Sequence, residues 1–274
     1  MSQFTIELNT KQLIETLITS LIFIPSIKAM CNAEFYDVCF DAKLSMNSLN
    51  IVSTDRFRVY IKTLLSYKNH NIGKEQNSAD SEKVSVHFTQ IKELIIILKK
   101  LTSNHVLVSL TEDKKIFINC SESPDKIIWE YQSLTTYLDY SKVVPSNFEY
   151  SFIMDKEDFL YNLKAVLPVA SIDLINYELL ITVNPIENKL KVSTKQYEGR
   201  IIADNFFNEI SNYKCTTNDT WEQCFNCKYI LDYVKKCTGT DILIQGNKNK
   251  PFVISPTNSI DELYLCSGIK KFIK

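Results

Sequence analysis

An internal duplication is the feature of this sequence that most limits the folds open to it. FTIELNTKQLIETL (residues 4–17) resembles FIMDKEDFLYNL (152–163), and the short segments LNIVST and LKVST, which follow them, are also alike. A third block, IKELIIILKKLTSNHVLV (91–108), resembles CKYILDYVKKCTGTDILI (227–244). Because the matched blocks keep the same order, the chain is predicted to hold two copies of one structural unit.

The two copies divide near Pro145, which predicts a first domain at residues 1–145 and a second at residues 146–274. Each copy reads as a strand, a helix, several strands, a second helix and further strands. The first copy contains in addition a polar segment at residues 66–83, which is predicted to be a loop inserted between strands.

The first helix of each copy is predicted from a capping residue and an apolar stripe. Asn9 and Asp155 can accept hydrogen bonds from the first backbone N–H groups of a helix. Leu13, Leu17 and Leu21, each followed by an isoleucine, recur at helical spacing. VLVSL and KIFINC are predicted strands joined by a turn. The predicted fold class is α+β, in which two helices pack on one face of an antiparallel sheet in each domain.

The charge balance argues against a protein that grips nucleic acid by bulk charge. The formal net charge is −1 at pH 7, and acidic and basic residues are spread evenly along the chain. No apolar run is long enough for a membrane span, and no signal peptide is predicted. The eight cysteines are irregularly spaced, which is typical of reduced thiols in a cytoplasmic protein.

Few residues could support catalysis. The three histidines, His70, His87 and His105, do not follow metal-ligand spacing, and the five glycines are isolated, so no glycine-rich phosphate loop is present. Cys224 and Cys227 have the spacing of a redox pair, but Cys227 occupies an apolar position of the repeat. We therefore expect no enzyme activity, no cofactor and no metal, and keep a thiol enzyme as an alternative.

Three lysines recur in both copies of the repeat. Lys92, Lys99 and Lys100 of the first copy correspond to Lys228, Lys235 and Lys236 of the second, at a constant separation of 136 residues. Solvated lysines are common on helix surfaces, but recurrence in both copies favours a function. Sparse cations on a helix face are suited to contact a phosphate backbone without reading base sequence.

The segment IVSTDRFRVY (51–60) contains two of the three arginines of the chain, Arg56 and Arg58. A guanidinium is a rigid fork of donors, and Phe57 lies between the two in sequence. One interpretation is a binding surface; the alternative is surface ion pairing with Asp55.

These segments resemble a known family, the bacterial DNA polymerase sliding clamp (the β subunit), whose chains have three repeated domains. LNIVSTDRFRVYI is similar to the family's ATDxxRLA strand, YLDYSKVVP to its FPDYxxVLP linker, and DELYLCSGIK to its terminal YxxMPMR strand. VSVHFTQIKELIIILKK and YILDYVKKCTGTDILIQ resemble strands and inner helices. Residues 1–145 resemble the middle domain and residues 146–274 the last, so the family's first domain is absent from this sequence.

The resemblance implies a peptide-binding pocket for DNA polymerase, clamp-loader and repair proteins. Its implied residues are Phe35, Tyr36, Thr54, Phe57, Arg58, Val59, Leu138, Lys142, Val143, Leu265, Ser267, Gly268, Ile269 and Lys270. The sequence departs from the family's pattern at three places. Ser267-Gly268-Ile269 replaces Met-Pro-Met, Leu138 replaces a proline, and Arg56-Phe57 replaces Gly-His.

The resemblance also implies helices that line a ring around duplex DNA, with the sheets outside. The implied DNA-facing residues are Lys11, Lys28, Lys92, Lys99, Lys100, Lys164, Lys228, Lys235 and Lys236. With two domains per chain, six domains require a trimer, closed by pairing of an edge strand within residues 105–120 with the end sheet of residues 240–256. The alternative is a clamp-like adaptor or decoy that binds the same peptides without encircling DNA.

Overall fold

The computed structural model describes residues 3–26, 32–43, 45–68, 81–172, 177–184, 186, 189–194, 207–210, 213–215, 220–247, 250–257 and 261–269. The chain divides into two units, Met1–Tyr140 and Ser141–Lys274, with the division five residues before the predicted position. Residues 137–140 fall in the first unit because two of their tyrosines, Tyr137 and Tyr140, are buried and hydrogen-bonded to strands of that unit.

The described part of the first unit contains eight strands and two α-helices. In chain order they are β1 (Gln3–Asn9), α1 (Thr10–Ser20), β2 (Asp37–Lys43), β3 (Ser48–Thr54), β4 (Arg58–Leu65), β5 (Ser81–His87), α2 (Phe88–Leu98), β6 (His105–Thr111), β7 (Lys115–Cys120) and β8 (Ser123–Gln132). Short 3-10 helices span Leu21–Phe23 and Ala33–Tyr36. The strands form two antiparallel sheets, in the orders β4-β3-β2-β5 and β1-β6-β7-β8.

Both helices of the first unit pack into one apolar core together with residues from both sheets. Leu13 and Leu17 of α1 and Leu94 of α2 contribute to it, with Phe40 from β2 and Val108 from β6. The predicted α+β class is confirmed, with the difference that the described strands of this unit form two antiparallel sheets where one was predicted. The alternation of apolar residues predicts strands, but the assignment of strands to sheets depends on pairing between residues distant in sequence.

Two further predictions on the first unit need correction. Residues 81–83 are part of β5 and not of an inserted loop, because their backbone pairs with β2; residues 69–80 lie outside the described residues. Residues 105–120 are not an edge, since β6 lies between β1 and β7, and β7 between β6 and β8. The edges of this described sheet are β1, which pairs with β6, and β8, which pairs with β7.

The second unit repeats this plan with nine described strands and two helices. They are β9 (Tyr150–Asp155), α3 (Lys156–Ala170), β10 (Glu178–Asn184), β11 (Lys189–Ser193), β12 (Phe207–Ile210), β13 (Tyr213–Cys215), β14 (Trp221–Asn226), α4 (Cys227–Val234), β15 (Asp241–Gly246), β16 (Phe252–Pro256) and β17 (Glu262–Cys266). Within the unit the antiparallel orders are β12-β11-β10-β14 and β13-β9-β15-β16-β17.

The core of the second unit is rich in aromatic rings. The ring of Phe225 lies 4.1 Å from that of Phe252, and the rings of Tyr233 and Tyr264 stack at 4.5 Å. Residues 240–256, whose sheet was predicted to pair with another chain, form β15 and β16, which lie between β9 and β17. The β15–β16 hairpin thus has β9 on one side and β17 on the other, just as the β6–β7 hairpin of the first unit lies between β1 and β8.

The predicted helix caps are present in both units. Asn9 Oδ1 accepts a hydrogen bond from the backbone N–H of Gln12 at 3.0 Å, and Asp155 Oδ1 accepts from that of Asp158 at 2.7 Å. Asn226 caps α4 in the same way, accepting from Tyr229 at 3.1 Å, which the sequence analysis did not predict. Each cap fixes the passage from a strand into a helix.

We expect Asp155→Ala to lower the free energy of unfolding by about 0.5–2 kcal/mol, because the first turn of α3 loses its side-chain acceptor. Asp155→Asn keeps an acceptor oxygen and is the matched control. Urea denaturation of the three proteins measures the difference. Equal stability of the Ala variant and the parent protein would contradict the capping role.

Candidate functional site

The turn between β3 and β4 is held by side chains of its own residues. Thr54 Oγ1 donates to the backbone carbonyl of Arg58 at 2.7 Å, which spans the turn. One carboxylate oxygen of Asp55, Oδ1, accepts from the backbone N–H groups of Phe57 and Arg58, each at 3.1 Å. These bonds explain why Thr-Asp at this position produces a tight, ordered turn.

Arg58 is buried at the base of this turn. Its Nε donates to Asp55 Oδ2 at 2.7 Å, one terminal nitrogen donates to the carbonyl of Ile22 at 3.0 Å, and the guanidinium lies 5.0 Å from the centre of the Phe23 ring. Only 7% of Arg58 is exposed. The predicted ion pair between an arginine and Asp55 is therefore present at Arg58. It is buried, whereas the prediction placed it on the surface. The peptide-donor role of Arg58 stays a prediction.

The residues at the tip of the turn face solvent to different degrees. Phe57 is 55% exposed, Val59 is half-buried, and Thr54 is buried. Phe35 and Tyr36 are half-buried on the 3-10 helix that precedes β2. The apolar area predicted for a partner peptide is thus accessible at Phe57 and in part at the residues around it.

Arg56 is the residue of this surface that the sequence analysis left out. It is exposed, its φ is 80°, and its guanidinium carbon lies 5.9 Å from the centre of the Phe35 ring. The left-handed conformation interrupts the strand alternation, so that Arg56 and Arg58 do not share one environment. The replacement of the family's glycine by Arg56 was the signal in the sequence that could have identified it.

Residues 133–140, which carry the predicted site residue Leu138, are fixed to the sheet β4-β3-β2-β5. Thr135 Oγ1 donates to Asp37 Oδ2 at 2.9 Å, and the Tyr137 hydroxyl donates to the carbonyl of Val52 at 3.4 Å. The Tyr140 hydroxyl donates to Asp41 Oδ2 at 2.5 Å. Leu138 is half-buried and lies between these two tyrosines in sequence.

Asp41 is fully buried beneath this segment, and cations at the rim of the sheet balance its charge. Lys43 and Lys83 approach Asp41 Oδ2 at 3.1 and 3.8 Å, and Lys83 lies over the Tyr140 ring. Burial, and then donation to Asp41, raises the pKa of the Tyr140 hydroxyl above its usual range. Tyr140 therefore stays protonated and able to donate at neutral pH.

In the second unit, the end of β17 is fixed to β14. The N–H of Ile269 donates to the carbonyl of Cys224 at 2.8 Å, and a Cβ on Gly268 would clash with Gln223 Nε2. Leu265 is buried within β17, and Ser267, Gly268 and Ile269 are partly exposed. A larger residue at position 268 would have to displace the end of the Gln223 side chain, so Gly268 allows this close approach.

The remaining predicted site residues lie around the junction of the two units in sequence. Lys142 and Val143 are exposed on the one-turn 3-10 helix Tyr140–Val143, and Val143 is 48% exposed. Lys270 lies outside the described residues.

The repeated lysines occupy equivalent positions on α2 and α4. Lys92 on α2 and Lys228 on α4 are exposed, and each lies seven residues before the residue that ends its helix. Lys99 and Lys235 are the residues that end these helices, where a cation is favoured by the helix dipole, and Lys100 and Lys236 follow. All six are exposed, as are Lys11 and Lys164; Lys28 lies outside the described residues.

The two first helices contribute less uncompensated charge than α2 and α4. Lys11 lies 4.0 Å from Glu15 on α1, and Lys164 of α3 shares its helix with the exposed Glu157. Two adjacent exposed lysines lie at the C-terminal end of the second helix in each unit, Lys99 with Lys100 and Lys235 with Lys236.

The structure contradicts a thiol enzyme built on Cys224 and Cys227. Both are buried, and burial raises the pKa of the Cys227 thiol to about 12. A reactive thiol requires the opposite shift. Cys224 donates weakly to Glu178 Oε1 at 3.3 Å, which is a structural interaction.

Two other classes of site were sought in the described part of the chain. No cluster of three or more His, Cys, Asp or Glu side chains that could hold a metal ion is found there. Nor does any of the described helices have the length and apolar character needed to cross a membrane.

We expect Cys227 in the native protein to react with iodoacetamide at pH 8 roughly ten- to a hundredfold more slowly than an ordinary thiol. Burial raises the pKa of its thiol to about 12, and the lower thiolate fraction outweighs the higher nucleophilicity of a more basic thiolate. Cys120, half-buried on β7, is the internal control and should react faster. Mass spectrometry of quenched samples resolves the two sites. Fast labelling of Cys227 without unfolding would overturn its structural role.

Comparison with known proteins places this geometry among solved structures. A scan of protein-family models and a search of curated protein sequences each find no match. The β subunit of DNA polymerase III from Thermotoga maritima matches with a TM-score of 0.76 and 17% identity, over 98% of this chain and 66% of that chain.

Two further structures agree with it. The sliding clamp from Bacillus subtilis matches with a TM-score of 0.75 and 16% identity, over 98% of this chain and 64% of its own. A DnaN sliding clamp from Pseudomonas aeruginosa bound to griselimycin matches with a TM-score of 0.72 and 16% identity, over 97% and 65%. This chain thus spans 64 to 66% of the length of these proteins. The resemblance predicted from the sequence is confirmed at the level of the fold: this chain has the fold of the bacterial DNA polymerase sliding clamps.

Proposed function

We propose that this protein is a DNA sliding clamp, a processivity factor that encircles duplex DNA and docks DNA polymerase and clamp-loader proteins through a peptide-binding surface. The observation that carries the proposal is the match of the sliding-clamp fold over 98% of the chain. In this role the protein is not an enzyme and needs no cofactor, and it acts in the cytoplasm. It holds its partners to DNA by topology.

The repeated lysines support the DNA-binding part of the proposal. Lys92, Lys99 and Lys100, and their counterparts in the second unit, are exposed at matched places on two helices. Lysines placed in this way contact phosphates independently of base sequence. A net charge of −1 is compatible with such a role, because a closed ring does not require tight binding.

The turn after β3 and the segment before residue 141 support the docking part. The turn is rigid, since Thr54, Asp55 and Arg58 hold it, and it exposes Phe57. Leu138 lies on a segment fixed by Tyr137 and Tyr140. Burying one or two apolar anchors of a peptide would contribute roughly 1.5–3 kcal/mol each before ordering costs, which suits exchangeable partners.

We further propose that the ring is a homotrimer, because two units per chain require three chains to provide six. The described edge strand β8 is a candidate for the interface between chains, and its Ile127 is 49% exposed. A sheet edge presents unpaired backbone groups that can pair with another chain.

We expect light scattering on a sizing column to give the mass of a trimer, three times 31.7 kDa, over a wide concentration range. Ile127→Lys should shift the mass toward that of the monomer, because a lysine on an edge strand opposes pairing. Ile186→Lys, at another exposed isoleucine in the second unit, is the control. A monomer at all concentrations would contradict the ring and leave the clamp-like adaptor as the interpretation of the fold.

Encirclement itself can be tested without a loader. A ring threads over the free end of a linear duplex that is immobilised at its other end. If that free end is then blocked with streptavidin, we expect the protein to survive a high-salt wash, whereas on unblocked DNA it should be washed away. Equal retention on blocked and unblocked DNA would contradict topological binding.

We expect the variant with Lys92, Lys99, Lys228 and Lys235 all replaced by Ala to bind a short duplex more weakly. The slope of log affinity against log salt should fall by about 0.9 for each phosphate that the variant no longer neutralises. Fluorescence anisotropy measures both quantities. The same four positions changed to Arg keep the charge and form the control. Unchanged affinity and slope in the Ala variant would remove these residues from the DNA-facing surface.

A further inference from the structure

We propose that Arg56, with Phe35 and Phe57, forms a site for a carboxylate on the partner peptide, so that this protein selects peptides with an acidic residue beside an apolar one. The inference rests on the proposed docking function and names the chemistry of the partner at that site. It adds Arg56, which is absent from the predicted pocket, to the residues that contact the peptide.

The backbone at Arg56 is the first observation. Its φ of 80° lies in the left-handed region, which a residue with a long side chain adopts at a cost and glycine adopts freely. The neighbouring bonds hold it there, since its N–H donates to Thr54 Oγ1 at 3.2 Å and Asp55 holds the next two N–H groups. A strained residue enforced by its surroundings points to a function for its side chain.

The position of the guanidinium is the second observation. It lies 5.9 Å from the centre of the Phe35 ring, and Arg56 is exposed. An arginine held against an aromatic ring is restricted in its motion and keeps the N–H donors at its rim for a carboxylate. A carboxylate matches that fork with two parallel hydrogen bonds.

Asp55, the acidic residue next to Arg56 in sequence, is engaged with other groups. Both carboxylate oxygens of Asp55 accept from Phe57 or Arg58, and the ion pair of Asp55 is with Arg58. Glu34, beside Phe35 in sequence, accepts from Asn32 at 3.5 Å. In the part of the chain that the structure describes, no ion pair involves Arg56.

These features together define the ligand. The site offers one cation held against an aromatic ring, with Phe57 exposed next to it in sequence. Charge complementarity selects an anionic side chain, and Phe57 provides area for an apolar neighbour of that side chain. A short peptide with adjacent acidic and apolar residues has both.

The test uses fluorescein-labelled hexapeptides that contain one Leu and one Phe as apolar anchors. At each of the remaining positions, one at a time, a peptide with Asp is compared with the same peptide carrying Asn. We expect at least one Asp peptide to bind the full-length protein about tenfold more tightly than its Asn partner by fluorescence polarisation. Arg56→Gly should abolish that preference and leave the affinity for the Asn peptide unchanged, with an equal or higher melting temperature. Arg56→Lys should keep part of the preference, and Lys250→Gln, at an exposed cation in the second unit, should keep all of it.

Four outcomes would overturn the inference. If the Asp and Asn peptides bind equally well at every position, or if the preference survives in Arg56→Gly, docking stands while the carboxylate site fails. If Arg56→Gly instead weakens binding to a short DNA duplex and leaves peptide preference intact, Arg56 contacts phosphate. If no hexapeptide binds at all, the docking part of the proposed function fails as well, and the blocked-end DNA assay decides whether the ring itself remains.

Discussion

The buried pair of Arg58 and Asp55 organises the surface on which the proposed docking depends. An arginine taken out of water needs a carboxylate and further acceptors, and here Asp55 and the carbonyl of Ile22 supply them. The same carboxylate holds two backbone N–H groups of the turn. One ion pair therefore ties together the turn, the strand that follows it, and the 3-10 helix that follows α1. The exposed residues of the turn owe their rigidity to it.

The parts of the fold that the sequence predicted are those fixed by local chemistry. Asn9 and Asp155 cap helices because a side-chain oxygen three residues before an N–H can reach it in any protein. The repeated lysines occupy matched positions because the helices that carry them are matched. The number of sheets was predicted wrongly, because β1 joins β6 through pairing between residues about a hundred positions apart, which no local pattern encodes. The edge strand β8 pairs locally with β7, and it was missed because most of its residues are exposed and lack the apolar alternation that marks a strand.

In the candidate site too, the local contacts could be predicted from the sequence and the contacts between distant residues could not. Thr54, Asp55 and Phe57 follow from the motif, and the structure places them in one turn. Strand alternation would have placed the two arginines on the same face, but Arg56 lies in the turn with a left-handed backbone, whereas Arg58 begins β4 and is buried against Asp55. The hydrogen bonds from residues 133–140 to Asp37, Val52 and Asp41 could not be predicted either, since these partners lie about a hundred residues earlier in the chain.

The left-handed Arg56 has a consequence for how such a protein would change under selection. A screen for resistance to heat alone rewards glycine at this position, because glycine relieves the backbone and the exposed side chain contributes nothing to the core. The selected protein would keep its turn and its exposed Phe57, yet it would lose the means to tell one partner from another. At position 56, a substitution that raises thermal stability therefore lowers the selectivity for partners.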